Sequence, residues 1–283
     1  VLGKREDGYH NVETILQMIG IYDSMDFEPA PSGIEFHCNE PKIPKDEKNL
    51  VLKAARILKR YYPEKTRSGV KIHLKKNIPS GAGLAGGSGN AAGALLALNR
   101  FWDLQIKRDK LVSLATHLGS DVPFFLISPC AFGTGRGEKL ISLKPFQKFS
   151  IVVVYPKISI ETARVYGKLN LKLTKKENNI SILRNFLSIS DASQLGSFLR
   201  NDLEPVVFKN YPEVLDVKNR LRGSGAEGVL MTGSGSAVFG IFSDLERAKQ
   251  VYAILEQELI SVFLAQSIQA FSEFMPEDFL HYP

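Results

Sequence analysis

A glycine-rich segment is the part of the chain whose residue types point most directly to chemistry. Residues 79–90 carry five glycines in twelve positions, between an alternating strand-like stretch and a small-residue helical stretch. Glycine lets a backbone adopt positive φ and come close to a ligand. The N-terminus of the following helix directs free N–H groups toward an anion. The segment therefore predicts a phosphate site, since a plain strand-to-helix turn would need only one or two glycines.

The known phosphate loops differ from this segment in specific ways. Gly81-x-Gly83-x-x-Gly86 matches the dinucleotide fingerprint, but the next helix runs into another helix and the nearest acid, Asp103, lies at a helix end. Walker A spacing is present too, yet Gly87 stands where the lysine is needed. The H-R-D and D-F-G sequences of protein kinases do not occur. The segment is therefore a different kind of phosphate loop.

Three further sets of residues could do chemistry. Asp121 sits on a short connection before Val-Pro, where its carboxylate could accept a proton from a hydroxyl nucleophile or simply cap a turn. Tyr9 and His10 lie in a polar loop and could stack on a base and hydrogen-bond its edge, or pack under the loop. Thr162 and Tyr166 lie one helical turn apart, which would also fit an ordinary helix face.

Composition describes the framework that must hold these residues. The chain has 283 residues, of which 44% are hydrophobic and 23% charged, which excludes a disordered or collagen-like protein and suggests about two domains. The net charge of +6 favours anionic partners. The chain has only two cysteines, Cys38 and Cys130, so neither a disulfide scaffold nor a cysteine zinc site is expected. Both cysteines are expected to be reduced thiols. No apolar run is long enough for a membrane span.

Hydrophobic periodicity predicts strands and helices in mixed order. Helices are expected at 49–61, from Asn90, from an Asp109 N-cap to a Gly119 cap, and across most of 160–222 with a break at 175–179. A Ser243/Glu246 capping box should begin a helix that includes Leu259. Strands are expected at 70–75, 151–155, 229–231 and 238–242, with a hairpin over 131–143. This order indicates an α+β protein of two lobes.

Taken together, these segments resemble the GHMP kinases, a family of small-molecule kinases. The resemblance runs from about Gly3 to Phe242 and rests on five motifs: Gly8-Tyr9-His10, Ile78-Pro79-x-Gly81-Ala82-Gly83-Leu84-x-Gly86-Gly87-Ser88, Leu118-Gly119-Ser120-Asp121-Val122-Pro123-Phe124, Asn201-Asp202-Leu203-Glu204 and Thr232-Gly233-Ser234-Gly235-Ser236. The glycine loop alone indicates the family at large. The first and third motifs point to a branch whose substrate carries cytidine diphosphate.

The resemblance implies an activity and a fold. It implies ATP- and Mg²⁺-dependent phosphorylation of the 2-hydroxyl of a methylerythritol moiety, a step of the non-mevalonate isoprenoid pathway. It also implies an N-terminal lobe with a ribosomal-S5-like core, assigned to residues 1–155, and a ferredoxin-like C-terminal lobe, assigned to 156–283. A bacterial cytoplasmic enzyme is expected, with a plastid as the alternative. Nucleic acid and membranes are not expected as partners.

Site roles carry over residue by residue. Asp121 would be the catalytic base. The substrate's cytidine side would be contacted by Tyr9, His10, Thr162 and Tyr166. Gly233 and Ser234 would border its phosphates, although an ordinary glycine-rich hairpin would have the same sequence pattern. Asn49 matches a position near the nucleotide base, although a helix N-cap explains it equally well. The remaining nucleotide-binding residues would be Pro79, Ser80, Gly81, Ala82, Gly83, Leu84, Ala85, Gly86, Gly87, Ser88, Gly89 and Asn90.

One expected feature has no counterpart in the sequence. The family has a lysine in a strand before Gly8-Tyr9-His10, and Lys4 does not match it. We expect this lysine to precede Val1 in a longer natural chain. Three alternatives remain: a mevalonate or homoserine type of kinase, a non-catalytic scaffold, and an RNA-binding relative. The last is disfavoured because the basic residues are scattered.

Overall fold

The computed structural model describes residues 1–144, 147–169, 192–259 and 261–280. Its strands are β1 (Gly3–Lys4), β2 (His10–Asn11), β3 (Thr14–Gln17), β4 (Ser24–Ala30), β5 (Ile34–Cys38), β6 (Gly69–Lys75), β7 (Cys130–Thr134), β8 (Lys139–Ser142), β9 (Ser150–Val154), β10 (Gly228–Met231), β11 (Val238–Phe242) and β12 (Val262–Gln266). Its helices are α1 (Leu50–Tyr61), α2 (Gly86–Phe101), α3 (Arg108–Ala115), α4 (Phe124–Ile127), α5 (Thr162–Gly167), α6 (Ala192–Phe198), α7 (Glu204–Asn210), α8 (Pro212–Gly223), α9 (Leu245–Glu258) and α10 (Glu277–Leu280), with a 3₁₀ turn at Phe271–Glu273.

The chain forms two compact units that interleave in sequence. Unit 1 contains residues 1–21, 79–84 and 130–269, and unit 2 contains 22–78, 85–129 and 270–283. The glycine loop is thus divided between the units after Leu84. The lobe boundary predicted after Tyr155 is not a limit of either unit, and it stays a prediction.

Unit 2 is a three-stranded sheet covered by helices. β6 lies in the middle, antiparallel to β4 and parallel to β5. The predicted alternation is confirmed, because Val70, Ile72 and Leu74 are buried whereas the intervening side chains reach the surface. Val70 and Ile72 belong to one buried cluster with apolar residues of α1 and α2. This packing fixes the direction of α2, whose N-terminus ends the glycine loop.

Unit 1 contains an antiparallel four-stranded sheet in the order β10-β11-β9-β12, a three-stranded sheet β3-β7-β8, and the ribbon β1-β2. β9 is buried at every position, as the run Ser150–Val154 of apolar and small residues indicates. The predicted hairpin over 131–143 is confirmed as β7 and β8. The tight turn between β10 and β11 belongs to the candidate site.

Three predicted helix boundaries are wrong. α2 begins at Gly86 rather than Asn90, which places four more loop residues in its first turn. α3 begins after an N-cap at Lys107, so Asp109 lies inside the first turn, where a carboxylate favours the positive end of the helix dipole. α3 also ends at Ala115, and the Gly119 N–H donates to the Ala115 carbonyl in a separate turn.

The predicted Ser243/Glu246 capping box is also wrong. Asp244 is the N-cap of α9, and its carboxylate accepts from the Glu246 N–H at 2.9 Å. The Ser243 hydroxyl instead donates to Glu227, a contact across the sheet. α9 ends at Glu258, one residue before Leu259. Helices within 160–222 are confirmed where described, and the predicted break at 175–179 lies outside the described residues.

Candidate active site

The second half of the glycine loop forms the start of α2 in unit 2. Ala85 has a left-handed backbone, with φ 52°, that turns the chain into the helix at Gly86. Gly86 is closely packed, since a Cβ there would come within 2.8 Å of Ile78, and a Cβ at Gly89 would crowd the Phe125 ring at 3.3 Å. A Cβ at Gly87 would meet nothing within 4 Å. The helix start is thus closely packed on one side and open at Gly87.

The first half of the loop is held within unit 1 by the turn that follows β10. Gly81 and Gly83 have φ values of +70° and +79°. The Thr232 hydroxyl donates to the Gly83 carbonyl at 2.9 Å, and the Ala237 N–H donates to the Ala82 carbonyl at 3.0 Å. A Cβ at Gly83 would overlap the Thr232 carbonyl oxygen. Glycine is required here for close approach between two backbones.

The start of α2 fits a phosphate group. Throughout the described ranges, no acceptor is found for the N–H groups of Gly86 and Gly87 at the start of α2. Free N–H groups at the positive end of a sixteen-residue helix suit an anion, and the open side of Gly87 leaves room for one. The residues at the start of α2 therefore fit a phosphate group such as those of ATP.

The turn between β10 and β11 presents a second pair of free donors, in unit 1. The Gly235 N–H donates to the Thr232 carbonyl at 2.9 Å and closes the turn, with Gly233 at φ +52°. Among the described residues, no acceptor is found for the N–H groups of Gly233 and Ser234. The Ser234 hydroxyl lies 2.8 Å from the Thr162 hydroxyl at the start of α5. The predicted substrate residues Thr162, Gly233 and Ser234 thus meet in one place.

The residues predicted for the cytidine side also come together in unit 1. The rings of His10, in β2, and Tyr166, in α5, are 5.1 Å apart at an interplanar angle of 33°. Tyr9 is 56% exposed, and the Arg136 guanidinium lies 4.9 Å from its ring centre. The large exposed ring is therefore held by a cation–π contact rather than packed under the loop.

Electrostatics around His10 favour a neutral imidazole. Desolvation lowers the pKa of His10, and the positive charge of Lys4, its cross-strand partner, lowers it further. A neutral imidazole has one nitrogen that donates and one that accepts. His10 can therefore serve the mixed donor and acceptor edge of a nucleobase.

Asp121 lies in unit 2 between α3 and α4. Its neighbour Val122 is fully buried, and the Val122 N–H donates to the Gly119 carbonyl at 3.2 Å, so the backbone is fixed. The side chain itself is solvent-accessible, whereas desolvation by surrounding protein atoms raises the pKa of its carboxyl group. Within the described part of the chain, no hydrogen bond or salt bridge is found for its carboxylate. The carboxylate is thus free to accept a proton.

Asn49 is built into the fold of unit 2. Its side-chain oxygen accepts from the Val51 N–H at 2.9 Å at the start of α1, and its amide donates to the Pro44 carbonyl at 2.7 Å. The N-cap interpretation is confirmed. Contact with a nucleotide base stays a prediction.

Two residues of the candidate site were missed by sequence reasoning. Arg136 became visible only through its contact with Tyr9, since the sequence places it in an ordinary hairpin turn. Asn201 belongs to a motif noted in the sequence without a chemical role, and its amide lies against the β10–β11 turn. In both cases the partner is far away in sequence, so local spacing carries no signal.

Two segments of the chain match models of one protein family. The model described as "GHMP kinases N terminal domain" matches residues 49–129, and "GHMP kinases C terminal" matches 178–261. A 4-diphosphocytidyl-2-C-methyl-D-erythritol kinase from Pelotomaculum thermopropionicum is 43% identical, covering 89% of this chain and 88% of that one. The chain belongs to the GHMP kinases, in the family of this relative. A protein of the same name from Clostridium botulinum is 37% identical over 95% of both chains.

Solved structures agree with this family. A crystal structure of 4-(cytidine 5'-diphospho)-2C-methyl-D-erythritol kinase has a TM-score of 0.78 and 32% identity, covering 93% of this chain and 92% of that one. Homoserine kinase from Cytophaga hutchinsonii, at 19% identity and a TM-score of 0.69, covers 89% and 88% and shares the fold. The predicted α+β GHMP kinase fold is confirmed.

Membership of the GHMP kinase family identifies the chain's activity. The chain is a kinase, an enzyme that transfers a phosphoryl group from ATP to a small molecule. This favours the kinase interpretation over the RNA-binding alternative. In the described ranges, no helix is long and apolar enough to cross a membrane.

Proposed function

We propose that the chain transfers the γ-phosphoryl group of ATP to the 2-hydroxyl of 4-diphosphocytidyl-2-C-methyl-D-erythritol, as the names of its relatives indicate. The observation that carries this choice of substrate is the contact of His10 with Tyr166 beside an exposed Tyr9. Mevalonate and homoserine have no base for such a cluster to bind. A cytidine substrate does.

The cytidine half of the proposal rests on aromatic geometry. Tyr9 has an exposed ring that a flat base can cover, and base–aromatic stacking contributes about 1–3 kcal/mol. The neutral His10 imidazole, desolvated and beside Lys4, would hydrogen-bond the edge of cytosine. Tyr166, in contact with His10, keeps that imidazole in place. These side chains would discriminate the substrate from smaller alcohols.

The nucleotide half rests on the glycine loop. The free N–H groups of Gly86 and Gly87 would hold ATP phosphates at the start of α2. Mg²⁺, when bound with the nucleotide, neutralises phosphate charge. The described residues contain no cluster of three or more metal-ligating His, Cys, Asp or Glu. Kinases commonly bind Mg²⁺ through one or two carboxylates together with substrate phosphates and water, so a larger cluster is not required.

The transfer itself would use Asp121 as the general base. Its carboxylate takes the proton of the 2-hydroxyl while that oxygen bonds to the γ-phosphorus. The bond from the γ-phosphorus to the bridging oxygen breaks, and ADP leaves. The raised pKa of Asp121 makes its carboxylate a stronger base than an ordinary surface aspartate. Positioning and electrostatics supply the rest of the acceleration.

The deciding experiment is a substrate panel. The chain would be assayed for ATP consumption with the cytidine substrate, mevalonate and homoserine, each at the same concentration. We expect phosphorylated product from the cytidine substrate alone, identified by mass. Turnover of mevalonate or homoserine instead would overturn the assignment of Tyr9 and His10.

A bacterial cytoplasmic location is proposed with this function. Its support is that the relatives compared above come from bacteria. Fractionation of the source cells with an antibody against the chain tests it.

A further inference from the structure

The Asn201-Asp202-Leu203-Glu204 motif is the one sequence motif that the proposed mechanism does not use. The Asn201 amide donates to two backbone carbonyls, to Met231 at 2.8 Å and to Gly233 at 2.7 Å. Its side-chain oxygen accepts from the Leu203 N–H at 2.9 Å. One side chain thus holds two carbonyls on either side of Thr232.

Glu204 holds the same strand from its N–H side. Its carboxylate accepts from the Met231 N–H at 3.0 Å and pairs with Lys218, whose side chain is almost fully buried. A buried charge pair with a further hydrogen bond fixes geometry more than it adds stability. The end of β10 is therefore fixed at both its carbonyl and its N–H.

These contacts occupy carbonyl groups of the β10–β11 turn and, within the described residues, leave two of its N–H groups free. The carbonyls of Met231 and Gly233 are occupied by Asn201, and the Thr232 carbonyl accepts from Gly235. The N–H groups of Gly233 and Ser234 have no acceptor anywhere in the described ranges. Successive free N–H groups beside a positive-φ glycine form a concave anion site.

We propose that Asn201 is a positioning residue that orients the Gly233–Ser234 turn so that its two N–H groups bind a phosphate oxygen. Glu204 and Lys218 support it from the other side of β10. The oxygen belongs to a nucleoside diphosphate group, carried by the nucleotide or by the cytidine substrate. This inference rests on the proposed function for the identity of its ligands.

The same turn also supports the first half of the glycine loop. Thr232, which lies between the two carbonyls held by Asn201, donates its hydroxyl to the Gly83 carbonyl. A shift of the turn would therefore move Gly83 as well as the two free N–H groups. Loss of Asn201 should affect ligand binding more than its distance from any reacting atom suggests.

The test is equilibrium binding of ADP and of cytidine 5′-diphosphate, by calorimetry, to the full chain and to Asn201→Ser. Serine can still accept from the Leu203 N–H in a local turn, but it is too short to reach both carbonyls and it adds no charge. We expect Kd to rise about tenfold for one diphosphate, the loss of one hydrogen bond to a charged group. The ligand that weakens identifies the source of the phosphate.

Asn210→Ser is the matched control. Asn210 also donates its amide to a backbone carbonyl, that of Val206, but it lies at the exposed end of α7, away from the turn. Its Kd values should stay within twofold of those of the parent chain. For Asn201→Ser, KM should rise for ATP if ADP is the diphosphate that weakens, or for the cytidine substrate if cytidine 5′-diphosphate is. Circular dichroism should show both serine variants folded at the assay temperature.

Several outcomes would overturn the inference. The inference fails if Asn201→Ser binds both diphosphates with Kd values within twofold of those of the parent chain. It also fails if Asn201→Ser and Asn210→Ser weaken binding equally. Failure of the parent chain to bind either diphosphate would also overturn it. The proposed function is judged separately by turnover of the cytidine substrate, which these binding measurements do not use.

Discussion

Gly83 provides a quantitative test of the way the glycine loop is built. In Gly83→Ala, the methyl group would overlap the Thr232 carbonyl oxygen and lie 3.2 Å from the Gly235 nitrogen, and both are backbone atoms. The φ of +79° adds about 1–2 kcal/mol of strain for an L-residue. Displacing the loop also breaks the Thr232–Gly83 hydrogen bond, which contributes about 1 kcal/mol.

Together with crowding of the turn, these effects should lower the free energy of unfolding by about 3 kcal/mol. For a chain of this size that corresponds to a fall of roughly 6–12 °C in the midpoint of thermal unfolding. The assay is circular dichroism during heating, with ATP-dependent turnover measured at a temperature where the variant is folded. KM for ATP should rise, because the loop can no longer follow the turn.

Gly87→Ala is the matched control within the same loop. Its methyl group would meet nothing within 4 Å, and alanine is about 0.5–1 kcal/mol better than glycine in a helix. We expect an unchanged or raised midpoint together with a raised KM for ATP, since the methyl stands on the open side of the loop. If Gly83→Ala melts with the parent chain, the argument for close backbone approach fails.

Four further predictions concern Asp121, Tyr9 and Cys130. Asp121→Asn should lower kcat by about 10²- to 10⁴-fold with little change in KM, whereas exposed Asp109→Asn should not; retained turnover would remove Asp121 from the mechanism. Because the raised pKa of Asp121 means that its base form is lost as pH falls, kcat should decline at a higher pH than an ordinary aspartate would give. Tyr9→Ala should raise KM for the cytidine substrate more than for ATP, and an equal rise in both would exclude stacking. Burial raises the pKa of Cys130 to about 12, so iodoacetamide at neutral pH should label Cys38 alone until denaturant is added, as counted by mass.

Hydrophobic periodicity in the sequence correctly predicted helices and strands whose buried faces repeat at regular intervals. The alternation at Val70, Ile72 and Leu74 identifies β6, because burial on one face of a strand repeats every second residue. Cap positions were harder, because adjacent polar residues compete for the same role. At α9, Asp244 rather than Ser243 is the N-cap. The Ser243 hydroxyl is hydrogen-bonded to Glu227 on the neighbouring strand end instead.

Some features of the candidate site could be predicted from the sequence, and others could not. The glycine loop and Asp121 follow from residue types and from resemblance to a family, and both lie in short continuous segments. The pairing of His10 with Tyr166 and of Thr162 with Ser234 needs the fold, because each pair joins distant segments. Asn201 was visible as a motif, but its partners Met231 and Gly233 were not.

The anchoring of the glycine loop has a consequence for the order in which the enzyme is made. Ala82 and Gly83 are held by Ala237 and Thr232, roughly 150 positions later in the chain. Contacts between such distant segments form slowly, because a long loop must close before they contribute. When only the first two hundred residues have emerged from the ribosome, the glycine loop is complete. Thr232 and Ala237, which hold its first half, have not yet emerged. We expect nucleotide affinity to appear late in synthesis, when β10 and β11 have emerged, and nascent chains truncated before Thr232 to bind ATP poorly.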